Sequence, residues 1–222
     1  MDTDHCRGII SAARVLTQRY NSAIPHVPSI QGFYMSRYHV SSSEGQYEKD
    51  SGEQVLANKL GISDSDEIDG AELVLLEQLY HSVFEEQFPL GRITVSTLKG
   101  WHRRWLGNIY EWAGQERTVN ISKGGFMFAP SAQLPKLLHE FDTQYLARYT
   151  PCASMSKEQL IEAIAIIHVE LILIHPFKEG NGRLSRLLAD VMRFRLAINH
   201  LIIKVGSKTK PSISRLFMQA HQ

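Results

Sequence analysis

The twelve residues His175-Pro-Phe-Lys-Glu-Gly-Asn-Gly-Arg-Leu-Ser-Arg186 constrain this chain more than any other stretch. They separate two segments that both read as helices, so the loop is held between two rigid walls. The first segment, Ser156 to Ile174, is apolar on nearly every side, with Leu160, Ile164, Ile167, Leu171 and Ile174 among its residues. Such a helix belongs inside a bundle rather than on its surface. It opens on Ser156 and Gln159, spaced as a capping box, and ends where Pro176 disfavours helical backbone at the preceding residue. The second helix is expected to start near Arg183 and to bury Leu184, Leu187, Leu188 and Val191, which recur at spacings of three and four.

Between these helices, Gly180-Asn181-Gly182 lets the backbone take left-handed conformations and approach a ligand closely. Free N–H groups at a helix N-terminus, aided by the dipole, make an anion site. Arg183 and Arg186 lie three residues apart in the first turns, and guanidinium forks suit phosphate oxygens. Glu179 could hold a divalent cation that bridges phosphates, and a histidine, whose free imidazole titrates near neutrality, is the natural general base for a hydroxyl, here His175. Each feature has an ordinary explanation by itself: a turn, a structural histidine, a solvated pair of arginines. Their concurrence in one helix–loop–helix favours phosphoryl-type chemistry, in which positioning and charge neutralisation do most of the work.

The run resembles the signature of the Fic-domain family, His-x-Phe-x-Asp/Glu-Gly-Asn-Gly-Arg-x-x-Arg, and matches it at every specified position. The resemblance implies an all-α fold and an enzyme that moves AMP from ATP onto a Ser, Thr or Tyr hydroxyl of a target protein. It casts His175 as the base, Phe177 as the anchor of the loop in the core, and Glu179 as the Mg²⁺ ligand. Gly180, Asn181 and Gly182 would form the anion hole, with Arg183 and Arg186 on the β and γ phosphates. Tyr110-x-Trp-Ala-Gly-x-x-Arg117 and Asn120-Ile-Ser-Lys-Gly-Gly-Phe-x-Phe-Ala129 resemble the family's helix end and flap. The flap residues Ile121, Ser122, Lys123, Gly124, Gly125 and Phe126 would then hold the target segment. Val40-Ser-Ser-Ser-Glu44-Gly45 partly resembles the family's inhibitory motif, whose glutamate pairs with the second arginine; here valine stands where Ser or Thr is expected. A solvated Ser-rich turn is the favoured explanation of that stretch.

The totals narrow the setting. With 222 residues the chain accommodates one domain of ordinary size and an extension. A formal net charge of +1 makes no electrostatic case for a nucleic-acid or membrane partner. Cys6 and Cys152 cannot make a disulfide framework, and no secretory leader or membrane span is legible, so a soluble cytoplasmic protein is expected.

Residues 1–50 show little periodicity beyond Ile9 to Leu16 and read as an N-terminal extension with a regulatory or packing role; residues 51–222 read as the catalytic domain, short at its C-terminus. Glu53 to Leu60 is expected to form a short helix closed by Gly61. Ser63 to Asp66 should cap a long helix reaching Glu86, with Leu73, Leu75, Leu76, Leu79, Val83 and Phe84 buried. Thr94 should cap a helix carrying Leu98, Trp101, Trp105 and Ile109, ending at Tyr110–Gly114, with His102, Arg103 and Arg104 on a solvated face. Arg117 to Phe128 alternates in polarity around Gly124-Gly125 and reads as a β-hairpin, whose strand edge could accept a peptide. Ser131 should cap the next helix, which runs to about Arg148. His168 and His175 lie seven apart, a spacing that does not suit zinc, so His168 is expected in the core or at its rim. Asp190, four residues after Arg186, could steady it as a helical pair.

The expectation is a Fic-type helical bundle around a central buried helix, with a small β-hairpin flap. Its expected function is adenylylation of a protein hydroxyl, self-modification included, with ATP and Mg²⁺ as substrate and cofactor. Its partners would be a hydroxyl-bearing protein and, in addition, a second copy or a small regulator. Transfer of UMP, phosphocholine or phosphate, and removal of AMP, are alternatives within enzymes; phosphorylating Doc-type relatives carry lysine where Gly182 stands. A catalytically silent binding or antitoxin-like module is the alternative of another class.

Overall fold

The computed structural model describes residues 39–40 and 47–205. The periodic stretch Ile9 to Leu16, the Glu44 motif and the C-terminal residues 206–222 lie outside the described residues. Helix α1 spans Ser65–His81 and continues as a π-helical turn, Ser82–Glu86. Asp64 is its N-cap, with its carboxylate accepting from the N–H groups of Asp66 and Glu67, so two orphan donors are satisfied at once. Helix α2 covers Val95–Leu106 behind a Thr94–Thr97 capping box. A 3₁₀ turn at Ser131–Gln133 leads into α3, Leu134–Glu140, which is prolonged by Phe141–Leu146 and Ala147–Tyr149. The central helix α4 is Lys157–Ile174, capped by Ser156 and Gln159 as expected, and α5 runs Asn181–Val205.

The core sits where α4 and α5 pack face to face. Ile167, Leu171 and Ile174 meet a stripe of Leu184, Leu187, Leu188 and Val191 in the same buried cluster. Each such side chain contributes about 1.5–3 kcal/mol by leaving water. Trp105, Leu106 and Ile109 carry α2 and its turn into that cluster, and Phe177 carries the loop between α4 and α5 into it.

The hairpin is present, with β2 at Ile121–Lys123 and β3 at Phe126–Met127. Gly124 and Gly125 both take positive φ, 56° and 79°, which is what a two-residue turn of this hand requires. A third strand was not foreseen. His39–Val40, here β1, pairs antiparallel with β2, so the sheet order is β1-β2-β3. The register sets His39 opposite Ser122 and Val40 opposite Ile121.

Four expectations need correction. Glu53 to Leu60 is not helical: Asp50, Gly52 and Glu53 have positive φ, and Tyr47 bridges Leu56 instead. The Asn58 side chain organises that turn, its Oδ1 accepting from the N–H of Leu60 and of Ile62. Leu73 is 55% exposed, because the buried face of α1 runs through Ile68, Glu72 and Leu79, and Leu73 lies a residue off it. The helix of Thr94 ends at Leu106, and Tyr110–Gly114 forms turns beyond it. Ser131 makes no side-chain cap; its N–H donates to Asn120 Oδ1.

One glycine closes the turn after α2. Gly114 has φ +80°, and a Cβ there would lie 2.8 Å from Arg103 Cβ and 2.9 Å from the Lys99 carbonyl oxygen. Gly114→Ala is therefore expected to lower the unfolding free energy by more than about 1 kcal/mol. Gly100→Ala, in the middle of α2 with open space beside it, should raise it by about 0.5–1 kcal/mol. Urea melts of the two variants check both signs.

Candidate active site

The site grows from the way α4 stops. His175 caps the helix in left-handed backbone, φ 50° and ψ 61°, while its N–H still donates to Leu171. That conformation is costly for a residue with a side chain and persists where its surroundings over-determine it. The surroundings here are the carbonyls gathered by Arg117. This guanidinium, 2% exposed, donates from Nε to the His175 carbonyl at 2.6 Å and from Nη1 to Val119 at 2.6 Å. Its Nη2 reaches the carbonyls of Ala129 and Ile174. The Arg117 backbone N–H donates to the Pro176 carbonyl at 2.8 Å. A cation thus sits on the C-terminal carbonyls of α4, where the helix dipole favours it, and ties the helix end to both sides of the flap.

The loop then closes on itself. The Asn181 side chain accepts from the Phe177 N–H at 3.0 Å and donates to the Phe177 carbonyl at 2.8 Å. Phe177, 1% exposed, stacks on His102 with ring centroids 3.9 Å apart and planes at 16°. His102 is fully buried, not on the solvated face expected for it. Its Nδ1 accepts from the Gly114 N–H at 2.8 Å, so its Nε2–H donates to the Glu179 carbonyl at 3.0 Å. Burial lowers its pKa to about 4, the Glu179 carbonyl notwithstanding, and the ring stays neutral as those two bonds require. Gly180 has φ +82°, and a Cβ there would meet Trp105 at 2.7 Å. The loop therefore lies flat on the Trp105 ring, which only glycine permits.

From this base the chemical groups are presented. Helix α5 begins at Asn181, so the N–H groups of its first turn, those of Asn181, Gly182 and Arg183, have no carbonyl a turn behind them. Beside Gly182 there is nothing within 4 Å of where a Cβ would stand, so the first turn of α5 is open on that side. Glu179 is 9% exposed; its Oε1 accepts from the Gly180 N–H at 2.7 Å and lies 3.3 Å from Arg183 Nη2. Arg183 lies over the Trp105 ring, 4.6 Å from its centroid, and pairs with Glu72. Arg186, one turn on, is exposed.

The His175 imidazole is clamped from the flap. Phe128 stacks on it at 3.7 Å with planes at 19°. Its Nδ1 faces the Ile172 carbonyl at 3.3 Å, which fits the tautomer with a proton on Nδ1 and the lone pair on Nε2. Burial, with the Arg117 and Lys123 charges nearby, pushes its pKa down to about 3. Ile121 is buried, whereas Lys123, Gly124, Gly125 and Phe126 are exposed at the flap tip and Ser122 is half-buried. His168 donates to or accepts from Ser185 Oγ at 2.8 Å and is half-buried, a rim histidine as expected. Asp190 accepts from the Tyr80 hydroxyl at 3.0 Å and lies 3.9 Å from Arg193, rather than serving as a brace for Arg186.

Two groups that build the site were open to a closer sequence reading. His102 stands four after Leu98 and three before Trp105, on the apolar stripe of α2, and Glu72 continues the Ile68 stripe of α1. A polar residue on an apolar face signals a buried partner. Arg117 and Phe128 carry no such local signal.

Similarity to known proteins agrees with this geometry. Residues 92–192 match the model of the Fic/DOC family. A probable protein adenylyltransferase of Sinorhizobium fredii is 30% identical over 60% of this chain and 67% of its own length. The protein adenylyltransferase VbhT of Bartonella schoenbuchensis is 33% identical over 60% of this chain, but the match spans only 27% of that longer protein. Among solved structures, the N-terminal Fic domain of an effector protein from Bartonella sp. AR 15-3 superimposes with a TM-score of 0.60 at 23% identity, covering 77% of each chain. The BepC protein of Bartonella tribocorum, solved with AMPPNP bound, gives 0.57 at 22% identity over 69% of this chain and 78% of its own. At those identities the structures speak for the fold. With a relative matched over two thirds of its length, and the motif intact on the loop that the fold builds, the chain belongs to the Fic/DOC family.

Proposed function

We propose that this protein transfers AMP from ATP to a hydroxyl of a protein. The observation that carries the proposal is one loop that sets a neutral imidazole, a carboxylate and a first-turn anion cradle beside a strand-forming flap. The adenylyltransferase names of the curated relatives, and the AMPPNP bound to a structural neighbour, support the same reading.

In this reaction the target hydroxyl approaches His175 Nε2, which takes its proton as the oxygen attacks the α-phosphorus. The bond from that phosphorus to the bridging oxygen breaks, and pyrophosphate leaves. The α5 N-terminus holds the phosphate oxygens, aided by Arg183 and Arg186. Magnesium is ordinarily held by one or two carboxylates together with substrate phosphates, so Glu179 alone fits it. When bound there it would neutralise phosphate charge. The flap would hold the target segment by main-chain pairing, and β1 already lies on the β2 edge, so a target using that edge must displace His39–Val40. A regulator or a second copy acting on the same edge, and the cytoplasm as the setting, belong to this proposal. Among the described residues no helix is long and apolar enough to cross a membrane.

Two outcomes are expected. Incubated with Mg²⁺ and ATP labelled at the α-phosphate, the protein should label itself or a lysate protein; γ-labelled ATP should leave no label, and His175→Ala should abolish the signal. Label from the γ position would mean phosphorylation instead, and label retained by His175→Ala would remove the base from its role. Separately, NMR titration of the imidazole C–H signals, assigned with His175→Ala, should show His175 titrating below pH 5. Phe128→Ala, which opens the ring to water, should move it up toward 6.5. A wild-type value near 6.5 would contradict the clamp.

A further inference from the structure

Resting on the nucleotide reading above, we infer that Glu72 is a positioning residue for the triphosphate, acting through Arg183. Glu72 belongs to α1, outside the motif and 111 residues from its partner, and its side chain is fully buried. A carboxylate buried so completely is kept only where its charge is met and its lone pairs are used. Both conditions hold here. Its Oε2 pairs with Arg183 Nη2, and its Oε1 accepts from the Tyr110 hydroxyl at 2.7 Å. Burial and the Glu72 charge hold that phenol protonated, so Tyr110 is a fixed donor. The backbone is pinned too, since the Glu72 carbonyl accepts from Trp105 Nε1 at 2.8 Å.

The consequence lies in the guanidinium. Two carboxylates compete for Arg183: Glu72 at close contact and Glu179 at 3.3 Å, with the Trp105 ring beneath. Glu72 and Trp105 together fix the plane and position of the fork before any ligand arrives, so little rotamer freedom remains to be lost on binding. They also keep Arg183 from closing onto Glu179, whose carboxylate is the group suited to a cation. Remove the Glu72 charge and Arg183 has one carboxylate partner left in this cluster, the one proposed for magnesium. Glu72 thus divides the labour between the first arginine and the loop carboxylate.

The test is a calorimetric titration with the non-hydrolysable triphosphate AMPPNP plus Mg²⁺ and, in parallel, with AMP. Glu72→Gln should weaken triphosphate binding on the order of tenfold, as loss of an outer partner does at ion sites, and raise the Mg²⁺ concentration needed for half-saturation. AMP binding should not change. In an Arg183→Ala background the Glu72→Gln effect should vanish, because the partner it acts through is gone. A purely structural glutamate would instead weaken both nucleotides alike, additively with Arg183→Ala. If Glu72→Gln does not fold, Glu72→Asp, which keeps the charge and withdraws it by one methylene, carries the same comparison. Wild-type affinity in the folded variant overturns this inference alone. A wild-type protein that binds no triphosphate overturns the nucleotide reading and this inference with it.

Discussion

One buried guanidinium decides where the motif loop begins. Arg117 collects carbonyls from the end of α4, from the strand side of the flap and from the segment after it. Without those bonds, the last carbonyls of a helix ending in the core would lack partners, a cost of about 1–3 kcal/mol for each buried group. Desolvation of the cation opposes this and lowers its pKa to about 10, still far above neutrality. The charge therefore stays, and with it His175 in left-handed backbone, the Phe128 ring over the imidazole, and a flap tied to the end of α4.

The site divides its charges by depth. His102 and His175 are both buried and neutral, but for different ends. Protonating His102 at Nδ1 would set an N–H against the Gly114 N–H and break that bond, while the Nε2–H bond to the Glu179 carbonyl would remain. The His175 ring is held instead by the Phe128 stack and by the Ile172 carbonyl at Nδ1. One imidazole is structural because both of its nitrogens are used by the backbone; the other is the one proposed for chemistry, with its Nδ1 facing the Ile172 carbonyl.

Much of this arrangement was legible in the sequence wherever the determinants are local. The Ser156–Gln159 box, the Thr94 cap, the Gly124-Gly125 turn and the Leu184–Val191 stripe each rest on residues within a turn or two of one another, and the structure has them all. The motif loop was legible for the same reason, since Phe177, Asn181 and Glu179 bond within five residues. Local rules failed at Glu53–Leu60, where Asp50 and Glu53 adopt left-handed backbone that no helix allows. They also failed at His102, Glu72 and Arg117, whose partners lie 77, 111 and 58 residues away. Periodicity marks the face such a residue occupies; it does not name what will meet it. Glu44 lies outside the described residues.

The third strand changes what kind of object the flap is. A two-stranded hairpin is marginal in water, and here its apolar support is small: Val119, Ile121 and Phe128 form a cluster separate from the main core. Phe128 lays one face of its ring on His175, so the cluster that supports the flap also clamps that imidazole. Adding β1 to the β2 edge supplies main-chain bonds that depend on no side chain in particular. Any extended segment can make bonds of that kind, so the order of the flap and the access of a target strand to the same edge are coupled. Stability gained from the chain's own strand is a barrier to a foreign one, and a target that takes the edge must replace the bonds it displaces.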